Sequence, residues 1–372
     1  MKAEINVDVP LVDLAYQHRA IAEDLAAEWQ QIIETTSFIG GPTVARFEEA
    51  FAEFCGIRYC IGVANGTDAI ELCLRAADVG PGDEVILPTN SFVATAFAVV
   101  RAGARPVLVD VDERTLLIDP IGVRQAANGE TRAVIPVHLF GQLAPVELVE
   151  AEVGSEVTMI EDAAQAQGAT RFGRSAGSFG VAAAMSFYPS KNLGAYGDAG
   201  AVLTRSKEFA ESLRALRNYG GEDKNVHPLM GFNSRLDPVQ AAVLLMKLGH
   251  LAEWNEERRQ AARLYDRLLE PYPDVVRVPE LSNNHHVWYV YVVRVQNRDE
   301  VLRRLNEAGI GAAVHYPTPI HLQQAFRSLG YGEGDFPVAE TAAKEILSLP
   351  LSPGISEEQQ QRVVTELVNV IA

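Results

Sequence analysis

A single lysine follows a short apolar run at the end of a predicted strand. Lys191 closes the stretch "SFYPSK", between the apolar run "VAAAMSF" and a loop with three glycines. Many lysines in such places are solvated surface residues. An amine held at a strand end is also placed to bond covalently to a cofactor, because an uncharged lysine amine is a nucleophile. This stretch alone leaves both interpretations open.

The residues after two other predicted strands have the types that bind a phosphate and a flat ring. Gly66 and Thr67 follow "YCIGVA" and open a predicted helix. The free N–H groups of a helix start favour a phosphate, although an ordinary N-cap explains the same residues. Phe92 follows "VILP", where an aromatic side chain can stack on a ring. Core packing is the more common role of such a residue, so this stretch alone leaves both roles open.

Two adjacent carboxylates, Glu161 and Asp162, end the apolar run "VTMI". They are costly to bury unless one has a cationic partner. One explanation is a helix start with acidic residues in its first turn. Another is a carboxylate that holds a protonated pyridine nitrogen. In chain order, the strand ends thus offer a phosphate cradle, a ring stacker, a carboxylate and an amine, which are the groups needed to hold pyridoxal phosphate.

The elements that position these residues alternate in type up to about residue 205. Short β-rich runs are separated by helical windows such as "DAIELCLRAA" and "TAFAVVRAG", after two helices near the start, "HRAIAEDLAAEWQQII" and "VARFEEAFAEF". This alternation predicts βαβ units and an α/β fold with a mostly parallel sheet covered by helices on both faces. Ligands of such sheets bind beyond the carboxyl ends of the strands.

The rhythm changes in the last third of the chain. One long helical stretch is predicted over 237–269, with Asp237 as N-cap and Pro238 in the first turn. The run "VWYVYVVRV" alternates like a strand, and the closing helix has the capping box Ser356-x-x-Gln359. We therefore predict a large domain over 1–245 and a smaller α+β domain over 246–372.

Composition restricts the partners and the compartment. The net charge of −17 repels nucleic acid and anionic membrane surfaces, and no apolar run has membrane-spanning length. The chain has three cysteines, with no metal-type spacing, and eight histidines in no metal-binding pattern. We expect a cytoplasmic protein with free thiols and without a metal site, a disulfide framework or a nucleic-acid partner.

The ordered motifs resemble those of the DegT/DnrJ/EryC1/StrS sugar aminotransferases, a family with the aspartate-aminotransferase fold. The matching stretches run through nearly the whole chain: "VPLVDL", "FIGGPTVARFEEAFAEFCG", "GVANGTDAIELCLRA", "GPGDEVILPTNSFVATAFAV", "PVHLFGQ", "EDAAQAQGA", "SFYPSKNLGAYGDAGA", "RNYG", "GFNSRLDPVQAAVL", "VHYPTPIHLQ" and "FPVAE". The resemblance implies a three-layer fold, pyridoxal 5′-phosphate as cofactor, and amino transfer from an amino acid, expected to be glutamate, to a nucleotide-linked keto-sugar.

The resemblance also implies roles for the matching residues. Lys191 would bond to the cofactor and move the proton, and Asp162 would pair with the ring nitrogen. The remaining cofactor contacts would be Gln165 at the phenolic oxygen, Phe92 on the ring, and Gly66, Thr67 and Ser186 at the phosphate, joined by Asn233 from the partner subunit of a homodimer. The sugar nucleotide would lie near Tyr188, His315, Tyr316 and His321.

The exact substrate stays open at this level. Many family members have histidine where this chain has Gln167, a change that removes an ionisable ring and leaves the fine substrate assignment in doubt. A related dehydratase branch lacks the lysine, so Lys191 favours transamination. The preferred substrate is a dTDP-3-keto-6-deoxyhexose. The alternatives are a 4-keto-sugar nucleotide, a keto-cyclitol, and, outside enzymes, a non-catalytic regulator on the same fold.

Overall fold

The computed structural model describes residues 8–221 and 225–371. The helices are α1 (Leu14–Glu34), α2 (Pro42–Cys55), α3 (Gly66–Ala76), α4 (Val93–Ala102), α5 (Pro120–Ala126), α6 (Val146–Val153), α7 (Lys207–Arg217), α8 (Pro238–Leu248), α9 (Leu251–Leu269), α10 (Arg298–Glu307), α11 (Pro337–Glu345) and α12 (Glu357–Ile371). The strands are β1 (Tyr59–Val63), β2 (Glu84–Pro88), β3 (Arg105–Val109), β4 (Thr131–Val134), β5 (Thr158–Asp162), β6 (Thr170–Arg171), β7 (Arg174–Ser175), β8 (Ala182–Ser186), β9 (Gly200–Thr204), β10 (Val276–Arg277), β11 (Asn284–His285), β12 (Tyr291–Arg294) and β13 (Ile346–Leu349). No helix in the two described ranges is both long and apolar enough to cross a membrane.

Within residues 8–221, seven strands form one sheet in the order β1-β9-β8-β5-β4-β2-β3. The pairs from β8 to β3 are parallel, whereas β9 is antiparallel to both of its neighbours. Most of the strands are short aliphatic runs with nearly every side chain buried, as a sheet covered on both faces requires. The predicted α/β class with a mostly parallel sheet is confirmed.

One edge of this sheet collects the residues that the sequence singled out. Strands β1 and β8 run in the same direction, because both are antiparallel to β9. The carboxyl ends of β1, β2, β5 and β8 therefore meet at one edge. Gly66, Phe92, Asp162 and Lys191 all lie at or just after these ends.

The C-terminal part has its own smaller sheet and core. Strands β10, β12 and β13 form an antiparallel sheet, with β12 in the middle. Its apolar cluster includes Tyr265 of α9, Leu305 of α10 and Val363 of α12. The closing helix α12 begins with the predicted capping box: the Gln359 N–H donates to Ser356 Oγ at 3.1 Å, and the Ser356 N–H donates to Gln359 Oε1 at 2.9 Å. A domain division near residue 245 stays a prediction.

The long helix predicted over 237–269 is two helices. α8 ends at Leu248, and α9 begins at Leu251 after Gly249 and His250. α8 packs on α1 and α2, whereas α9 packs on α12. The chain must change direction to reach both surfaces, which periodicity alone does not reveal.

The strand predicted over "VWYVYVVRV" is only half correct. The ladder covers Tyr291–Arg294, whereas Trp288 has a φ of 48°, a left-handed conformation that no strand adopts. The Val287 N–H donates to the Gly141 carbonyl at 2.9 Å, outside the small sheet. This contact pulls the first half of the run toward the seven-stranded sheet, where Tyr289 reaches the candidate site.

Candidate active site

A cavity of about 650 Å³ opens at the carboxyl edge of the seven-stranded sheet. Its walls come from the ends of β1, β2, β5 and β8 and from two C-terminal segments, around Tyr289 and His315. Most of the predicted site residues line it: Gly66, Thr67, Phe92, Asp162, Gln165, Ser186, Tyr188, Lys191, His315 and Tyr316. Asn233 and His321 do not.

One end of the cavity is the start of helix α3. Asn65 caps this helix, because its Oδ1 accepts the N–H of Asp68 at 2.9 Å. Gly66 and Thr67 occupy the first helical positions, whose N–H groups have no partner within a helix. A Cβ on Gly66 would come 2.7 Å from the Ser186 Cβ, so only glycine keeps this corner open. The corner has the donors and the room of an anion site.

The two adjacent carboxylates of β5 have different surroundings. Glu161 is fully buried, and its oxygens accept the N–H groups of Gly177, Phe179 and Gly180 at 2.9–3.1 Å. Its Oε2 also accepts Nε2–H of His138 at 2.9 Å; the other ring nitrogen of His138 accepts a backbone N–H. Glu161 is therefore a structural residue whose hydrogen-bonding capacity is used.

Asp162 instead faces the cavity. It accepts the Thr95 hydroxyl at 2.7 Å and the Ala164 N–H at 3.2 Å. Burial raises the pKa of Asp162, while these hydrogen bonds and the charge of Lys191 act in the opposite direction. A cationic partner in the cavity would remove this cost of burial. Thr95 was not predicted; its only sequence signal is a hydroxyl one helical turn after Ser91.

Lys191 lies in the same cavity and is only 8% exposed, so the solvated interpretation is wrong. Its Nζ is 4.1 Å from the centroid of the Tyr289 ring. Burial, together with the charge of Lys191, lowers the pKa of His315 to about 4. His315 is therefore neutral at pH 7, and its Nδ1 lies 2.8 Å from the Ser348 hydroxyl. Tyr289 was missed because its segment was read as a strand.

Gln165 is fixed in one orientation. Its Oε1 accepts the Phe140 N–H at 2.6 Å, and its Nε2 donates to the Tyr316 hydroxyl at 3.0 Å. The Phe92 ring lies 5.2 Å from the Tyr316 ring and is 52% exposed in the cavity. Of the two roles left open for Phe92, core packing is therefore excluded. Tyr188, 55% exposed, forms an outer wall.

His321 is placed differently from the prediction. It is 2% exposed, and its ring bridges the Thr89 hydroxyl at 2.8 Å and the Glu340 carboxylate at 3.0 Å. These contacts hold the segment after His315 against the end of β2. The structure therefore gives His321 a supporting position outside the cavity rather than a place beside the sugar.

Gln167, the departure from the family pattern, does not line the cavity either. It is fully buried, and its Nε2 donates to the carbonyls of Ala164 and Ser186 at 3.1 and 2.7 Å. It therefore joins the turn after Asp162 to the end of β8. Because Gln167 does not line the cavity, it is not placed to affect substrate choice by contacting the sugar.

Asn233 is exposed and lies outside the cavity of its own chain. A larger concavity, of about 990 Å³, lies nearby and is lined by Ile39, Met230 and three arginines, Arg214, Arg217 and Arg235. None of the predicted site residues lines this second concavity, so the arrangement of chemical groups, not size, identifies the candidate site.

Curated relatives match almost the whole chain. A protein named "Pleiotropic regulatory protein" from Geobacillus stearothermophilus is 46% identical over 97% of this chain and 98% of its own length. A protein named dTDP-3-amino-3,4,6-trideoxy-alpha-D-glucose transaminase from Streptomyces venezuelae is 40% identical over 96% of this chain and 94% of its own. A UDP-N-acetyl-3-dehydro-alpha-D-glucosamine 3-aminotransferase from Acidithiobacillus ferrooxidans is 40% identical, with 97% of each covered.

Solved structures match equally well. DesV of S. venezuelae, in complex with a ketimine intermediate, has a TM-score of 0.94 at 39% identity and covers 97% of this chain and 98% of its own. NtdA of Bacillus subtilis, with bound cofactor PMP, has a TM-score of 0.90 at 30% identity, covering 100% of this chain and 86% of its own.

The cavity fits the cofactor of these enzymes. The corner at Gly66 suits a phosphate, Asp162 suits a protonated ring nitrogen, and the amine of Lys191 lies in the same space. Pyridoxal 5′-phosphate is the cofactor of this chain. The model of the DegT/DnrJ/EryC1/StrS aminotransferase family matches residues 19–368, and the chain belongs to that family.

Proposed function

We propose that this enzyme transfers the amino group of an amino acid, with glutamate as the preferred donor, to the ketone of a nucleotide-linked sugar. The observation that carries the proposal is the convergence of Lys191, Asp162 and the start of α3 on one cavity. When bound, pyridoxal phosphate supplies an electron-accepting ring and a carbon that takes up and returns the amino group.

The cavity residues have separate roles in the proposed reaction. Asp162 holds the proton on the ring nitrogen, because a buried carboxylate with only a hydroxyl and one N–H as donors favours a cationic partner. Lys191 would hold the cofactor through its amine, which is also the group placed to move a proton at the reacting carbon. His315 is neutral and adds no positive charge beside the amine. Gly66, Thr67 and Ser186 bind the phosphate, Phe92 covers the ring, and Gln165 contacts the phenolic oxygen.

The preferred sugar substrate is a dTDP-3-keto-6-deoxyhexose. Support comes from relatives at 40% identity whose names place the transferred nitrogen on C3 of dTDP- and UDP-linked sugars. The 4-keto-sugar nucleotides and keto-cyclitols are the alternatives within enzymes. Tyr188, His315 and Tyr316 line the cavity and are the candidates for contacting the hexose.

The second candidate is a regulator, because the relative at 46% identity is named as a regulatory protein. The cofactor-binding groups that line the cavity argue for catalysis. A regulator has no need for a buried lysine and a buried carboxylate in one cavity, since both are costly to desolvate. Turnover of a keto-sugar nucleotide separates the two functions.

We propose that the enzyme is a homodimer of the cytoplasm. Asn233 is exposed and outside its own cavity, where it can complete the phosphate site of a partner. The exposed apolar side chains Phe38, Ile39 and Met230 provide surface for an interface. The cysteines Cys55, Cys60 and Cys73 are free and buried, in keeping with a reducing compartment.

The first prediction concerns Lys191. The purified protein should be yellow, with a near-visible absorbance band that glutamate alone converts to a shorter wavelength. Lys191→Ala should bind the cofactor without a covalent bond, so borohydride should fix none, as mass spectrometry will show. A borohydride-fixed adduct in Lys191→Ala would remove this residue from its role.

The second prediction separates the two carboxylates of β5. Asp162→Asn should lower turnover at least about a hundredfold, or about 2.7 kcal/mol, because an amide cannot hold the ring proton. Its apoprotein should be no less stable at pH 7. A carboxylate whose pKa is raised by folding contributes stability at low pH and loses it as the pH rises, so its removal costs nothing at pH 7.

The matched control is Glu161→Gln, which replaces one acceptor oxygen with an NH2 group that faces backbone N–H donors. Its thermal midpoint should fall, because buried donors lose their partners. Scanning calorimetry of both apoproteins makes the comparison. A near-normal turnover in Asp162→Asn, or a large loss of stability in that variant alone, contradicts the assignment.

The third prediction concerns the dimer. A mixture of Asn233→Ala chains and Lys191→Ala chains should regain about a quarter of wild-type activity, because half of the dimers are mixed and each has one intact site of two. Alone, Lys191→Ala should be inactive, and Asn233→Ala should be weakly active at limiting cofactor. A fully active monomer in sedimentation would refute the shared site.

The fourth prediction concerns the carbon that receives nitrogen. Turnover of dTDP-3-keto-6-deoxyhexose with glutamate should exceed that of the 4-keto isomer at least about tenfold, since a misplaced hydroxyl leaves buried polar groups unpaired. NMR of the separated amino-sugar products locates the nitrogen, which is necessary because keto-sugars isomerise in solution. Nitrogen found mainly on C4 would overturn the regiochemistry but not the transamination.

A further inference from the structure

A chain of buried side-chain amides lies behind Lys191 and joins three segments. Asn192 donates through Nδ2 to Asn255 Oδ1 and to the Val287 carbonyl, both at 2.8 Å. Asn255, on α9, donates through its own Nδ2 to the backbone carbonyl of Gln167 at 2.9 Å. The side chains of Asn192, Asn255 and Gln167 are at most 2% exposed. Asn255 thus contacts two segments of the site at once.

The chain of amides reaches both sides of the cavity. Beyond Asn255, the Gln167 side chain donates to the carbonyls of Ala164 and Ser186, at the turn after Asp162 and at the end of β8. In the other direction, Asn192 is the residue next to Lys191. The lysine and the carboxylate are therefore linked through Asn255, which belongs to neither segment.

The backbone around Asn255 is adapted to this contact. Gly168 has a φ of +89°, and a Cβ there would come 2.8 Å from Asn255 Nδ2. Val287, which accepts from Asn192, begins the segment that places the Tyr289 ring 4.1 Å from Lys191 Nζ. The network thus holds Asn192, next to Lys191, and the segment that places the Tyr289 ring near the lysine amine.

We propose that Asn255 is a positioning residue for amino transfer, which holds the Lys191 segment in register with the turn that carries Asp162. The proposal rests on the assignment of Lys191 and Asp162 to the cofactor. An amide suits this place because it donates and accepts without bringing a charge into the core. Register matters because a displacement of about 1 Å at the reacting groups can cost about a hundredfold in rate.

The test compares Asn255→Ala with Gln360→Ala as holoenzymes. Gln360 is a matched control, since it is also a buried amide that contacts α9, donating to the Ala261 carbonyl at 2.7 Å, but it lies outside the site. In Asn255→Ala, kcat should fall at least about tenfold, while KM for the sugar nucleotide changes less than about threefold. The pH midpoint of the near-visible cofactor band should shift by at least about half a unit.

Hydrogen exchange of the apoproteins decides the positioning role without the reaction. Exchange over residues 187–195 should rise at least about tenfold in Asn255→Ala and stay at the wild-type rate in Gln360→Ala. Asn192→Ala breaks the same contact from the other side, so the double variant should be no worse than the more severe single variant. It also takes the place of Asn255→Ala should that variant not fold.

Unchanged exchange, or a kcat and band midpoint no different from those of Gln360→Ala, would overturn the proposal. If the wild-type protein lacks the near-visible cofactor band, the proposed function is refuted. If hydrogen exchange over residues 187–195 nevertheless rises in Asn255→Ala, the positioning of this segment by Asn255 is upheld.

Discussion

The alternation of side chains along β5 is the constraint on which the site depends. Two carboxylates end this strand, and successive side chains point to opposite faces. Glu161 is surrounded by N–H donors, so it joins the loop 177–180 to the sheet. Asp162 receives fewer donors and faces the cavity. A register shift of one residue would exchange the faces of these two side chains. It would turn Glu161 toward the cavity and away from its N–H donors.

Residues from several strand ends and loops converge around Asp162 and form the rest of the cavity. Strands of one direction bring the phosphate corner, the ring face and the lysine to a single edge. The C-terminal part then closes the space with Tyr289, His315 and Tyr316, which lie far from that edge in sequence. Tyr316 meets Gln165 by a hydrogen bond, and His315 is held by Ser348 of the small sheet. The two parts of the chain thus share one site.

The residues at the strand ends could be predicted from the sequence, because the order and direction of the strands determine where those residues lie. Lys191, Asp162 and Gly66 line one cavity for this reason. Thr95, Tyr289 and Asn255 were not predicted, because their contacts join segments that are distant in sequence and that no local pattern encodes. Aromatic residues usually pack in the core, so the sequence around Phe92 left its position open; in the structure it is half exposed in the cavity. His321 shared a motif with His315, but a buried carboxylate, Glu340, takes its ring away from the cavity.

The overall charge and the local charge of the site have different consequences. The chain carries −17, yet its cofactor and its proposed substrate are anionic. Arg101 lies at the rim of the cavity, but Asp68 and Glu71 pair with it at 3.1 and 2.7 Å. These ion pairs engage the Arg101 guanidinium in a contact between α4 and α3. The donors that remain at the Gly66 corner are N–H and hydroxyl groups at fixed positions, which discriminate by geometry and depend less on long-range attraction than a free cation does.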